Sequence, residues 1–294
     1  MSHVLAIDIG GTKMAVGAVD ADGNLSRSRR VPTVADDGGV MWADLVAECE
    51  AVLGEMSAAG ERPVGVGVGC GGPMAPHGAT VSPLNIPGWR DFPLRDRLAD
   101  QLGLAAFVDN DAKALALGEG WVGAAVGETD FLAMVVSTGV GGGIVLGGRL
   151  LDGAAGNAGH IGHVVVEPDG ALMPGHARGS LEAEASGTAI ARATGRPAAE
   201  APPEVVERTG RLVGRAVGSV CNLLDLRLTL VSGSVALGFG RPFFDAAQRE
   251  LDEICVLDFS AGAVIRPGGL AARGPLVGAG AVAWRGLGVD IGIS

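Results

Sequence analysis

The sequence predicts an α/β protein built from two related halves that face a common cleft. Two observations carry this reading. The segment LAIDIGGTKMAVGAV (residues 5–19), an apolar run, a glycine turn and a second apolar run, recurs as LAMVVSTGVGGGIVLGG (residues 132–148). Each copy is followed by segments that alternate between helical and strand period, the order of an α/β unit. The chain has 294 residues, 48% of them hydrophobic, which is enough for two domains that each bury a core. The expected boundary lies near residue 115. It gives an N-terminal domain over 1–115 and a larger one over 116–274, the first joined by a closing helix over about 275–294.

In chain order, Val4 to Ile9 reads as a buried strand, Gly10-Gly11-Thr12 as a turn and Met14 to Val19 as the returning strand, with Asp22-Gly23 turning into a third. MWADLVAECEAVLGEM places Trp42, Leu45, Val46, Cys49, Val52, Leu53 and Met56 on one helical face, so this helix covers the sheet. Val64 to Val68 is the next strand, Leu94 to Leu102 a helix, Phe107-Val108 a short strand and Asp111 to Trp121 a helix that opens on a carboxylate. After the second hairpin come a long helix (Val205 to Leu224), a strand (Leu228 to Ser232), a helix (Phe239 to Ile254) and the Gly/Ala-rich helix after Pro275. Pro197 to Pro203 reads as a surface loop.

Composition narrows the function classes. Lys and Arg total 22 against 33 Asp and Glu, a net charge of -11 with no basic run, which argues against nucleic acid or an anionic membrane as partner. The N-terminus enters an apolar strand without a basic leader, and the apolar stretch Phe131 to Leu146 is interrupted by glycines, so neither a signal peptide nor a membrane span is expected. Cys49, Cys70, Cys221 and Cys255 are scattered without CxxC spacing and read as reduced core thiols of a cytoplasmic protein. The 50 glycines sit among Val, Ile and Ala in periodic segments, as tight turns and close backbone approaches do.

Chemistry concentrates at three places. DIGGTK (Asp8 to Lys13) puts a carboxylate at a strand end before two glycines, whose amides can approach a phosphate closely. One such turn is ordinarily just a hairpin, but the second, Ser137 to Gly143, sits at the matching place in the repeat, so a phosphate chain can be gripped between them. Between them lies VDNDAKALALGE, where Asn110 ends a strand and Asp111 opens a helix at the mouth of the expected cleft. Taken alone, Asp111 reads equally as a helix N-cap.

DIGGTK, LNIPGW, NDA, STGVGGG and AGHIGH, in this order and spacing across essentially the whole chain, resemble the ROK family of sugar kinases and repressors. The resemblance implies an actin-like, hexokinase-type duplicated fold whose two domains close around ATP and a sugar. It implies that Asp111 is the base that takes the proton of a sugar 6-hydroxyl as that oxygen attacks the γ-phosphorus of ATP. It implies further that Asp8 orients Mg2+, directly or through water. By the same likeness, Gly10, Gly11, Thr12 and Lys13 form one phosphate element, Thr138 and Gly139 the other, and Gly233 and Ser234 border the adenosine. Gly72, Asn85, Asn110, His163 and Glu182 match sugar-binding positions, although Asn85 also reads as a turn residue before Pro87 and Glu182 as a solvated helix carboxylate. A homodimer is the form that the resemblance implies.

The sequence departs from that family at three points. Where most members carry three zinc-binding cysteines, it has Met173, Gly175 and Ser180, so no structural zinc is expected and packing around Leu172 and Met173 is expected to hold the loop. His160, His163 and His176 form the alternative, a three-histidine site. His160 replaces the Glu of the AGExGH pattern of glucose-specific members, and the segment resembles bacterial N-acetylmannosamine kinases; a zinc-free glucokinase and a catalytically weak sugar-binding protein are the alternatives. Lys113 stands where a neutral polar residue is usual, either as a solvated helix residue or leaning on Asp111 and lowering its pKa. A repressor is disfavoured, because the first phosphate strand begins at Val4 and no helix-turn-helix precedes it.

Overall fold

The structure, a computed structural model, describes residues 2–294. Three strands open it: β1 (His3–Ile9), β2 (Lys13–Asp20) and β3 (Leu25–Pro32) form an antiparallel meander. The turn between β2 and β3 is tied by the Asp20 carboxylate, whose Oδ1 accepts from the amides of Asp22 and Asn24, both at 2.9 Å. Helix α1 (Gly38–Ala58) is capped by Asp37 and buries Met41, Leu45, Cys49, Val52 and Met56 on the sheet. Trp42, Val46 and Leu53, expected on that face, lie at its half-buried edges. Strand β4 (Pro63–Cys70), helix α2 (Leu94–Leu102), strand β5 (Ala106–Asn110) and helix α3 (Asp111–Val122) complete the first unit. Its sheet has the order β3-β2-β1-β4-β5, with β4 and β5 parallel to β1.

The second unit repeats this order strand for strand. Strands β6 (Phe131–Val136), β7 (Val140–Leu146) and β8 (Arg149–Leu150) form the antiparallel meander, followed by helices α4 (Leu181–Ala185), α5 (Gly187–Thr194) and α6 (Pro203–Leu224) and strand β9 (Leu228–Ser232). Helices α7 (Ser234–Phe239) and α8 (Arg241–Ile254) and strand β10 (Val264–Pro267) follow. Its sheet runs β8-β7-β6-β9-β10, again antiparallel within the meander and parallel beyond it. The repeat read in the sequence is therefore a repeat of topology.

Two elements differ from expectation. The helix expected over Phe239 to Ile254 begins at Arg241, and the short helix α7, which was not expected, precedes it and ends at Phe239; Gly240 between them (φ 61°, ψ -145°) has a backbone open to glycine and closed to L side chains. The closing helix α9 (Gly274–Gly286) is shorter than the expected 275–294. It packs on β1 and β4, and the residues after it turn back to the second sheet, where Ser294 exchanges backbone hydrogen bonds with Leu150 and Gly148. Close packing of α9 depends on missing side chains: a Cβ at Gly67 of β4 would lie 1.9 Å from the Ala279 carbonyl oxygen. The four cysteines are buried and unpaired, and among the described residues no helix is long and apolar enough to cross a membrane.

Candidate active site

The site forms where the strand ends of both sheets meet the start of α3. Asp8 lies at the end of β1, in register with Ala15 and Gly69. The turn that follows is closed by the Gly10 amide on the Lys13 carbonyl at 3.0 Å and by the Thr33 hydroxyl, which donates to the Gly10 carbonyl at 2.7 Å. Asn85 sits in a turn, as one reading had it, and also against the phosphate element: a Cβ at Gly11 would lie 2.8 Å from its own.

The second turn is pinned from behind. The Ser137 amide donates to the Gly139 carbonyl at 2.9 Å, the Gly187 amide to the Ser137 carbonyl at 2.7 Å, and the Thr188 hydroxyl to the Thr138 carbonyl at 2.9 Å. Ser137 and Ser234 share a hydroxyl hydrogen bond of 2.9 Å, which brings the expected adenosine border to the phosphate turn. Gly233 makes this possible: it has φ 101°, and a Cβ there would lie 2.3 Å from the Val136 carbonyl oxygen.

Asn110 and Asp111 join β5 to α3. The N-cap is Asn110, not Asp111: its Oδ1 accepts from the amides of Ala112 at 3.0 Å and Lys113 at 3.3 Å. Asp111 accepts from Ala112 at 2.9 Å. Burial pushes its carboxyl above the ordinary carboxylate range; amide hydrogen bonds from Ala112 and Asp111 itself pull it back, and the negative Glu182 adds to the rise. Asp8 is pushed up to about 7, by burial and then by the charge of Asp111, with Lys13 and Arg30 opposing. Two carboxylates thus share a cleft in which Lys13 and Arg30 only partly offset their charge. That hard-oxygen donor set fits a magnesium ion.

Of the expected sugar residues, Gly72, Asn110, His160, His163 and Glu182 form a row across the cleft. A Cβ at Gly72 would lie 3.3 Å from the His160 ring and 3.6 Å from the Asn110 amide nitrogen. His160 and His163 meet edge to face at 5.8 Å, and His163 stacks on His176 at 4.5 Å. His176 Nε2 lies 3.2 Å from Glu182 Oε1, while Glu182 Oε2 accepts from the Val140 amide at 2.7 Å and faces Gly139. Glu182 is therefore no solvated helix residue; at 8% exposure it joins the histidine row to the second phosphate turn. Its carboxyl is raised by burial, against the Val140 amide and His163. Burial lowers His160, helped by His163 and Lys113, and it lowers His176, helped by His163, which favours neutral imidazoles near neutral pH.

The three histidines stack and tilt instead of converging on one point. Among the described residues no group of three His, Cys, Asp or Glu is arranged to hold a metal ion. At the three cysteine positions of the family, Met173 and Gly175 lie in a surface loop and Ser180 is fully buried. Of the two residues expected to hold this loop by apolar packing, Leu172 is 57% exposed and Met173 half-buried. Polar contacts hold it as well. Glu184, 8% exposed, accepts from the Ala171 amide and pairs with Arg208 at 2.6 Å, and Arg178 donates to the Gly170 carbonyl at 2.9 Å. Sequence reasoning missed Glu184, since nothing local distinguishes it from a helix-surface carboxylate.

Lys113 fits neither expectation. It is 2% exposed and turned away from Asp111, with Nζ 2.9 Å from Asp109 Oδ1, 2.7 Å from Asp152 Oδ1 and 3.3 Å from the Gly156 carbonyl. It does not lower Asp111. One signal was present: a lone lysine in the apolar run AKALALG has no solvated face to occupy.

The family model for ROK matches residues 4–285. The chain belongs to the ROK family. A ROK-family glucokinase of Streptomyces griseus, solved with glucose and AMPPNP, superposes with a TM-score of 0.83 at 28% identity, over 97% of this chain and 100% of that one, so the fold is the actin-like, hexokinase-type one. A glucokinase of Thermotoga maritima is 39% identical over 191 residues, 64% of this chain and 59% of that protein; the match therefore spans about three fifths of that relative. An N-acetylmannosamine kinase of Shigella flexneri is 34% identical over 256 residues, 81% of this chain and 84% of that protein.

Proposed function

We propose that this protein transfers the γ-phosphoryl group of ATP to the 6-hydroxyl of a hexose or N-acetylhexosamine. The observation that carries the reading is Asp111: a half-buried carboxylate of raised proton affinity, fixed at the start of a helix between two pinned glycine turns and a row of sugar-sized polar groups. In this role Asp111 accepts the proton of the 6-hydroxyl as that oxygen attacks, and its raised affinity makes it a stronger base than a surface aspartate. Gly72, Asn85, Asn110, His160, His163 and Glu182 hold and orient the hydroxyls, so that attack is in line. The turns at Gly10 to Lys13 and at Thr138-Gly139 receive the phosphates, and Gly233 and Ser234 border the nucleoside. Asp8 is the residue that would hold magnesium, directly or through water, and the ion's chemistry there is neutralisation of phosphate charge.

N-acetylmannosamine is the favoured sugar. A neutral His160 can donate to an acetamido carbonyl, where a carboxylate would oppose it with like polarity. The likeness to an N-acetylmannosamine kinase runs over 256 residues, although the higher identity of the glucokinase over 191 favours glucose. The test is ADP release with ATP and magnesium against glucose, mannose, fructose, allose, N-acetylglucosamine and N-acetylmannosamine, with Asp111→Asn beside the wild type. The variant is expected to lose turnover by about a hundredfold or more with little change in sugar affinity. Near-wild-type turnover in Asp111→Asn removes the base assignment, and a wild type inert on every sugar removes the kinase reading.

A further inference from the structure

The loop from Asp152 to His160 follows β8 in the second unit, yet its fixed points lie in the first unit and on α3. Asp152 Oδ1 accepts from Lys113 Nζ at 2.7 Å, and the Gly156 carbonyl accepts from the same ammonium at 3.3 Å. The third partner of Lys113 is Asp109 of β5, at 2.9 Å and 16% exposed, so all three donors of the lysine are engaged. Asn157 pairs its side-chain amide with the backbone of Met74, accepting from the amide at 3.1 Å and donating to the carbonyl at 2.9 Å. The loop is closed on itself by the Ala158 amide on the Asp152 carbonyl at 3.0 Å. It then delivers the His160 ring onto Gly72 beside Asn110.

Asp111 and Lys113 are two residues apart on α3, about 200° around the helix, so one faces the cleft and the other its back. A cavity of about 540 Å³ opens behind Lys113, lined also by Asp109, Asp152 and Gly156. Solvent reaches the latch from this side, and Asp152 is 55% exposed while Lys113 is 2%.

We infer that Lys113 and Asp152 form a positioning latch: together they strap the 152–160 loop to the catalytic helix and so set the place of His160 against the sugar. The inference rests on the sugar-kinase reading. It adds that affinity for the sugar is controlled by an ion pair on the far side of α3 that touches no substrate. Asp152 is the half to remove, because it is largely exposed and its loss leaves the buried Lys113–Asp109 pair intact.

The experiment uses the full chain as wild type, Asp152→Asn and Asp152→Glu. Amide hydrogen exchange over residues 153–164, without substrates, is expected to quicken in Asp152→Asn. The KM for the sugar is expected to rise about three- to fivefold while kcat and the KM for ATP stay within about twofold, a split that general loosening of the fold would not give. Asp152→Glu, which keeps the charge, is expected to recover part of both effects. Unchanged exchange in Asp152→Asn overturns the latch whatever the activity, and quickened exchange with unchanged sugar KM overturns its role in placing His160. Failure of the kinase reading is distinguishable, since it shows in the wild type as absence of ADP release while the exchange measurement still reads the latch.

Discussion

Replacing Lys113 by Met keeps most of the length of the side chain and removes its charge. Asp109 is then left 16% exposed with no cation beside it, and Asp152 turns to solvent. Removing one partner of a buried pair costs about 3–5 kcal/mol, whereas a pair to a mostly exposed carboxylate is worth about 0–1 kcal/mol. Nearly all of the expected loss therefore comes from Asp109. Burial already raises the Asp109 carboxyl, and the charge of Lys113 is the main influence holding it down, so the variant raises it further. A folded-state pKa above the unfolded one contributes stability that is present at low pH and lost as pH rises through the folded value. The deficit of Lys113→Met is thus expected to be about 3 kcal/mol near pH 8 and smaller toward pH 5, because the further-raised Asp109 takes up its proton earlier as pH falls. Urea unfolding followed by tryptophan fluorescence, at pH values between these, measures it. The double variant Lys113→Met with Asp109→Asn should recover most of the loss, because an amide is cheaper to bury than an unpaired carboxylate. A deficit independent of pH, or one below about 1 kcal/mol near pH 8, would refute the claim that the pair is electrostatically buried.

His160→Glu is expected to shift kcat/KM toward glucose over N-acetylmannosamine by roughly tenfold, because one buried polar contact is re-paired; a wild type that already prefers glucose by that margin would overturn the reading of His160. Asp8 supplies a second pH dependence. With a folded pKa of about 7, its contribution to the stability of the ligand-free protein is present in acid and lost as pH rises through about 7. The expected loss is on the order of 1–2 kcal/mol, since the carboxylate opens to the cleft and is partly screened. Asp8→Asn should flatten that slope, and an unchanged pH profile of the melting temperature would count against it.

The topology was legible in the sequence because it is repeated there. An apolar strand, a glycine turn and an apolar return at residues 5–19 and 132–148 become the same meander, with the same parallel pair beyond it, in both sheets. The start of α8 at Arg241 had a local signal, Gly240 followed by Pro242 in the first helical turn, but Phe239 and Phe243 continue a helical period through it, so the expected helix begins two residues early and α7 before it is missed. The two sides of the site differ in the same way. Asp8, Asp111 and the turn glycines stand at strand and helix ends, where local pattern locates them. Lys113 with Asp152, Asn157 with Met74 and Glu184 with Arg208 are pairs made across 24 to 83 residues of chain, and no local period announces them.

Helix α3 holds Asp111 in a frame separate from the loops around it. It is packed at backbone contact on two sides. A Cβ at Gly143 of β7 would lie 2.7 Å from the Ala112 carbonyl oxygen, and one at Gly278 of α9 would lie 2.5 Å from that of Ala114. Such contacts leave no room for the helix to shift without parting a sheet strand or α9 from it. Its polar side chains then act outward from a fixed frame. Asp111 opens on the cleft, Lys113 holds the 152–160 loop, and Glu119, 1% exposed, accepts from the amides of Ala124 at 2.8 Å and Gly269 at 3.0 Å. The two loops so held are met at opposite ends of α3, one leading to His160 and the other into α9. Any closure of the site would therefore bend at these loops, where hydrogen bonds and ion pairs can exchange, while the carboxylate at the head of α3 keeps its place.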